Sequence, residues 1–136
     1  MGMAVNSDAM KSRTKLLALV VIRFCRALPQ NPETRVMSCQ LLRSATSVAA
    51  NYRAVCRAGS SADFTTKAGL ALEEAGETLF WLELLVDAGI VRRQQADTRL
   101  DETNQLVSIF VASLRTAKGL RSAIQNLKSA IVLPPL

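Results

Sequence analysis

Glu74 and Glu77 stand one helical turn apart, and of all the side chains in this 136-residue sequence their type and spacing come nearest to chemistry. Two carboxylates on one stripe could bridge a pair of metal ions, serve as general acid and base, or be held by polar partners. A bridged di-metal centre asks for Glu-x-x-His pairs from facing helices, and the sequence contains no histidine. Paired acid and base carboxylates ask for a polar cleft, whereas Leu70, Trp81 and Leu84 flank these two at helical spacing. The favoured reading is a network in which Gln40, Arg43 and Asn51 hydrogen-bond Glu74 and Glu77 and fix helix register. Such a network is expected to be enclosed, with Arg43 at the edge of its helix's buried face.

The missing histidine removes more than metal chemistry. No Ser-His-Asp or Cys-His nucleophile pair can be assembled, and no imidazole acid or base exists. Cys25, Cys39 and Cys56 lack Cys-x-x-Cys spacing, cannot all pair within one chain and sit in helix-like segments. They read as buried free thiols in a reducing compartment. No catalytic residue, metal or cofactor is expected, and an enzyme ranks behind a binding or scaffolding protein.

Seventeen basic against eleven acidic residues give +6, which favours polyanionic partners. The hydrophobic content of 49% with only 4% aromatic residues calls for one domain with an aliphatic core. Lys11, Arg13 and Lys15 precede the apolar run from Leu16 to Ile22, but Arg23 and Arg26 interrupt it and no small-residue cleavage site follows. A seven-residue run cannot span a bilayer, and Asn6 stands where a myristoylation signal wants Ser or Thr. The expected setting is cytoplasmic, without membrane contact.

Periodicity and punctuation mark four helices. The first runs from about Ala9 to Leu28, with Ser7 or Asp8 as its cap and Pro29 and Pro32 beyond its end. Asn31 caps a second, with Pro32 at its first position, reaching about Ala58 before Gly59. Ser60 or Ser61 opens a third, which stops at Ala88 before Gly89. The fourth runs from Arg93 to Lys118, and Leu120, Ile124, Leu127 and Ile131 keep helical spacing past Gly119. No stretch alternates with period two, and the connections are short. The fold expected is all-α, an antiparallel up-down-up-down four-helix bundle. Residues 1–8 read as a flexible N-terminus, 9–118 as the bundle, and 119–136 as a helical extension or tail.

Helix 2 carries an apolar stripe of Leu41, Ala45, Val48, Tyr52 and Val55, beside a polar stripe of Gln40, Ser44, Ser47 and Asn51. Its arginines, Arg35, Arg43, Arg53 and Arg57, fall on the outer half. Helix 1 is apolar all round from Leu16 to Ile22, which an outer helix of a lone bundle should not be. Leu19 and Ile22 therefore read as a subunit interface, the alternative being coverage by the C-terminal segment.

The run Gln40-Leu41-Leu42-Arg43-Ser44-Ala45-Thr46-Ser47-Val48-Ala49-Ala50-Asn51-Tyr52 is followed by Cys56-Arg57-Ala58, Ser61-Ala62-Asp63-Phe64, Lys67, Glu73-Glu74-Ala75, Glu77-Thr78 and Trp81-Leu82-Glu83-Leu84-Leu85. Together these resemble the bacterial four-helix-bundle protein family whose founding members are encoded in intervening sequences of 23S ribosomal RNA genes. The resemblance spans about residues 12 to 120. It implies an antiparallel bundle assembled as a homopentameric ring, with nucleic-acid binding and no enzymatic activity. A related bundle, also a basic pentamer, serves as accessory subunit to the reverse transcriptase of diversity-generating retroelements. The sequence departs from the family pattern at Arg53, where Glu commonly follows Asn-Tyr, and at Gly59 and Ser61, where longer side chains are frequent.

Charge and resemblance together lead to the expectation of a non-catalytic oligomer that binds RNA or a ribonucleoprotein through Lys11, Arg13, Lys15, Arg23, Arg26, Arg35, Arg53 and Arg57. With so few aromatic residues for base stacking, such binding is electrostatic and salt-sensitive. The alternative is an adaptor for an acidic protein, or an accessory subunit of a reverse-transcriptase-like or other nucleic-acid enzyme.

Overall fold

The computed structural model of the chain describes residues 6–131. Four helices follow one another: α1 (Ser7–Arg26), α2 (Pro32–Cys56), α3 (Ser61–Asp87) and α4 (Arg93–Ile131). Each packs against its neighbour in sequence, α1 on α2, α2 on α3 and α3 on α4, while α1 and α4 touch only thinly. This is the four-helix bundle that the apolar periodicity predicts.

Capping explains most of the boundaries. Asn6, rather than Ser7 or Asp8, caps α1: its Oδ1 accepts from the amides of Asp8 at 2.9 Å and Ala9 at 3.2 Å. Asp8 then lies in the first turn, where its charge complements the helix dipole. Asn31 accepts from Thr34 N at 2.9 Å, with Pro32 next to it in the first turn as expected. α2 ends at Cys56, two residues before Ala58, because the amides of Arg57 and Ala58 bond back only three residues, to Ala54 and Val55.

Ser60 accepts from Asp63 N at 3.0 Å, and Asp63 in turn accepts from Gly59 N at 3.0 Å, so the α2–α3 turn is tied from both sides. α3 closes in a Schellman arrangement: Ile90 N reaches Leu85 O and Gly89 N reaches Val86 O, both at 3.0 Å. That closure needs a left-handed residue, and Gly89 supplies it at φ +74°.

The core is aliphatic. Leu17 and Val21 of α1, Leu41, Ala45 and Val48 of α2, and Ala71, Ala75, Leu82 and Leu85 of α3 are wholly buried with Ala96 and Leu106 of α4. The alanines of α3 let its neighbours approach closely, and a second small cluster of Val55, Ala68 and Leu114 closes the far end. Phe64 lines a hollow with Ser113, Thr116 and Ala117, which places the start of α3 level with the middle of α4. α4 therefore continues past Gly119 as helix, beyond the bundle, through Ile131. Of the segments expected to be non-helical or undecided, residues 1–5 and 132–136 lie outside the described residues.

Candidate functional site

Arg43 projects from α2 at the seam with α3 and gathers the two glutamates. Its Nη1 donates to Glu74 Oε1 at 3.0 Å and Oε2 at 3.3 Å, its Nη2 to Glu77 Oε2 at 2.5 Å, and its Nε to Gln40 Oε1 at 3.0 Å. Asn51 makes no hydrogen bond to this group among the described residues; it lies more than two turns further along α2. Contrary to the expectation of an enclosed network, the cluster lies at the surface: the Arg43 side chain is 44% exposed, Glu77 49% and Glu74 21%. Arginine's length lets it start at the edge of a buried face and still end in water.

The two carboxylates are not equivalent. Partial burial, then the adjacent Glu77, push the Glu74 pKa above the ordinary glutamate value against the pull of Arg43. Glu77 is held below it, first by its hydrogen bond from Arg43. With both engaged by one guanidinium, neither is a free acid or base.

The enclosed polar contact of this seam lies one residue further on. Ser44 Oγ and Thr78 Oγ1 are 2.9 Å apart, both buried; Ser44 also donates to Leu41 O at 3.2 Å, and Thr78 Oγ1 lies 2.8 Å from Glu74 O. The sequence marks Ser44 on a polar stripe and Thr78 beside Glu77, but periodicity does not say that they meet.

Across the thin α1–α4 seam, Arg13 Nε and Nη2 each donate to Glu102 at 2.9 Å, and Nη2 also to Gln105 Oε1 at 3.0 Å. Above this pair Arg13, Leu16, Leu17, Val20, Thr98, Arg99 and Glu102 line a groove of about 450 Å³. Arg99 lies 5.5 Å over the ring of Phe24 at its other end. Arg13 is thus engaged within the fold, and Lys11 is half-buried. Lys15, Arg23, Arg26, Arg35, Arg53 and Arg57 are exposed, and none forms an ion pair among the described residues.

Leu19 is 40% exposed and its neighbour Leu16 55%, while Ile22 is half-buried. α4 does not fold back over them; it stays helical through Ile131. The cysteines divide: Cys25 is buried, whereas Cys39 and Cys56 are exposed, against the expectation that all three are core thiols. All three fall on helices, but Cys39 and Cys56 lie on the outward side of α2. Among the described residues no group of three or more side chains has the makeup to hold a metal, and no helix is long and apolar enough to cross a membrane.

Charge is divided by helix, a feature that no motif carries. Asp63, Glu73, Glu74, Glu77, Glu83 and Asp87, six of the eleven acidic residues, lie on α3 with Lys67 as its lone cation. The rest of the chain is correspondingly more basic than its net charge suggests.

Fold and seams define a class: an antiparallel four-helix bundle whose polar contacts join helices and whose exposed cations are concentrated away from one acidic helix. Residues 8–112 match the family of 23S rRNA-intervening sequence proteins, and the chain belongs to that family. It is also similar to the crystal structure of a Bacteroides thetaiotaomicron protein of unknown function from the S23 ribosomal protein family, with 31% identity and a TM-score of 0.73. That similarity covers 82% of this chain and 99% of the other. No curated protein matches the chain.

Proposed function

We propose that the protein is a non-catalytic homo-oligomer, a pentamer by analogy with the family it resembles, that binds RNA through a basic surface. The observation that carries this reading is the set of exposed cations Lys15, Arg23, Arg26, Arg35, Arg53 and Arg57 on α1, on α2 and at its C-cap, unpaired among the described residues and set against an acidic α3. Phosphate backbones answer such a surface by releasing counterions, and repeating it around a ring multiplies the effect through effective concentration. The apolar pair Leu16 and Leu19, exposed amid these cations, supports a subunit contact on α1. Chemistry on a substrate has no support from the side chains singled out for it: the Glu74 and Glu77 carboxylates are clamped by Arg43, and burial pushes the Cys25 thiol up to about 11.

The test is light scattering on nuclease-treated protein, followed by titration with a labelled single-stranded RNA at several salt concentrations. An oligomer whose affinity falls steeply with salt supports the proposal. A monomer, or a salt-independent affinity, refutes it. A protein that copurifies after nuclease treatment without any RNA affinity turns the reading to an adaptor for an acidic partner.

A further inference from the structure

α1 and α3 stand diagonally across the bundle: among the described residues each packs on α2 and α4, and neither touches the other. Their outward faces are opposite in charge. On α3, Phe80 is 51% exposed and lies edge-on to Trp81, with ring centroids 4.9 Å apart. Glu73, Gly76, Glu83 and Asp87 share its stripe and are exposed, and a Cβ placed on Gly76 would meet nothing within 4 Å. The ring therefore stands out from the helix among carboxylates. Glu73, Glu83 and Asp87 form no ion pair among the described residues.

α1 presents the complement. Leu16, 55% exposed, lines the groove of about 450 Å³ at the α1–α4 seam, and Leu19, 40% exposed, lies one turn further along the helix. A second hollow of about 380 Å³, lined by Arg23, Phe24 and Leu28 among others, meets the first at Arg99. Arg13, Arg23 and Arg99 line these hollows against one acid, Glu102, which Arg13 already holds. The Arg99 guanidinium makes a single hydrogen bond among the described residues, 3.3 Å to Gln95 O, so its Nη2 has no protein acceptor. Spacing matches as well as charge. Leu16 and Arg23 are seven residues, about 10 Å, apart on α1, and Phe80 is seven residues from Glu73 on one side and from Asp87 on the other. With Phe80 over Leu16 and the two helices alongside, a carboxylate faces Arg23 whichever way they run.

We propose that Phe80 of one copy seats in the α1–α4 groove of the next, over Leu16, with Glu73, Glu83 and Asp87 facing Lys15, Arg23 and Arg99. A second copy of this chain is the occupant because it carries the matching charge, and because a fold that holds α1 and α3 on opposite sides cannot close the contact on itself. The contact is heterologous: each copy gives one ring and receives another, the arrangement that builds rings or filaments. It rests on the homo-oligomer reading and supplies the far side of that reading's α1 contact. Docking takes up Lys15 and Arg23 and leaves Arg35, Arg53 and Arg57 to RNA.

Sedimentation of the full-length, nuclease-treated protein tests it with two variants at exposed positions, circular dichroism confirming that each folds. Phe80→Asp removes the giving surface and L16D/L19D the receiving one, and each weakens self-association about tenfold or more. Mixed, they keep one intact pair of surfaces, Phe80 of the L16D/L19D chain and Leu16 of the Phe80→Asp chain, and form a one-to-one dimer that grows no further. Should Phe80→Asp not fold, a charge exchange takes its place: E73K/E83K and K15E/R23E each weaken association, and the chain carrying all four substitutions regains it. A wild-type protein that is monomeric throughout fails the homo-oligomer reading itself, and the docking with it. A wild-type oligomer that Phe80→Asp leaves intact, a mixture that stays monomeric, or a four-fold chain as weak as its parents overturns the docking alone.

Discussion

Ser44 Oγ and Thr78 Oγ1 lie 2.9 Å apart in the sealed interior between α2 and α3, directly under the surface clamp that Arg43 makes with Glu74 and Glu77. The seam is thus polar at two depths, and the inner contact is shielded from water. Thr78→Val keeps the shape but removes the hydroxyl, so Ser44 retains only its bond to Leu41 O. The expected cost is about 1 kcal/mol, read from the urea midpoint with an unchanged slope. Ser44→Leu, which overfills the same site, should cost more, about 1–3 kcal/mol.

The outer clamp sets a pH dependence with two opposing parts. Glu77 has a lowered folded pKa, so its contribution is fully present above the ordinary glutamate value and is lost as pH falls through the folded one. Glu74 has a raised folded pKa, so the native state prefers it protonated and stability from this group declines as pH rises through that raised value. Glu77→Gln should therefore lower the melting temperature at pH 7 and flatten its fall below about pH 4. Glu74→Gln should leave it unchanged or raise it. Arg43→Ala, which leaves two adjacent carboxylates without their shared cation, should destabilise more at pH 7 than at pH 4. Melting curves of the three variants across this range check the signs.

The free thiols offer a direct check on the outer side of α2. Cys39 and Cys56 should react with an aromatic disulfide reagent in the folded protein, while Cys25 waits for unfolding. Burial holds its thiol protonated, with the pKa pushed up to about 11, and it lies 3.9 Å from Ser38 O. Cys25→Ala should abolish only the slow phase. A native protein in which all three react at one rate would mean that α1 opens away from α2.

These contrasts also show where the sequence is legible. Asn31-Pro32 and Gly89 mark their helix ends because each has one local job, an amide to cap or a positive φ to adopt. Asn6 is open to confusion with Ser7 and Asp8 since all three are good caps, and only backbone geometry chooses. Gln40, Arg43, Glu74 and Glu77 are visible as a group, but their depth is not. A 3.6-residue period locates a Cα on a face and says nothing of where a long side chain ends. The same limit puts Asn51 in a cluster it does not reach and hides the Arg13–Glu102 pair, whose members are 89 residues apart. Residue type alone turns Cys39 and Cys56 inward, and residue type is only a tendency.

Exposed cations and engaged cations should respond differently to removal, and this separates phosphate-binding groups from fold-holding ones. Arg53 and Arg57 are exposed and unpaired among the described residues, so R53Q/R57Q should weaken RNA binding similarly for unrelated sequences. It should also reduce the slope of log affinity against log salt by about 0.7 for each phosphate of a single-stranded RNA that is no longer neutralised, with melting unchanged. Arg13→Gln should do the reverse. Its guanidinium grips Glu102 with two 2.9 Å bonds at the α1–α4 seam, so removing it should cost about 1 kcal/mol of stability and leave the salt slope as it was. If Arg13→Gln instead lowered the slope while R53Q/R57Q did not, the RNA path would run along the α1–α4 groove rather than over α2, since that is where Arg13 and the half-buried Arg99 lie together.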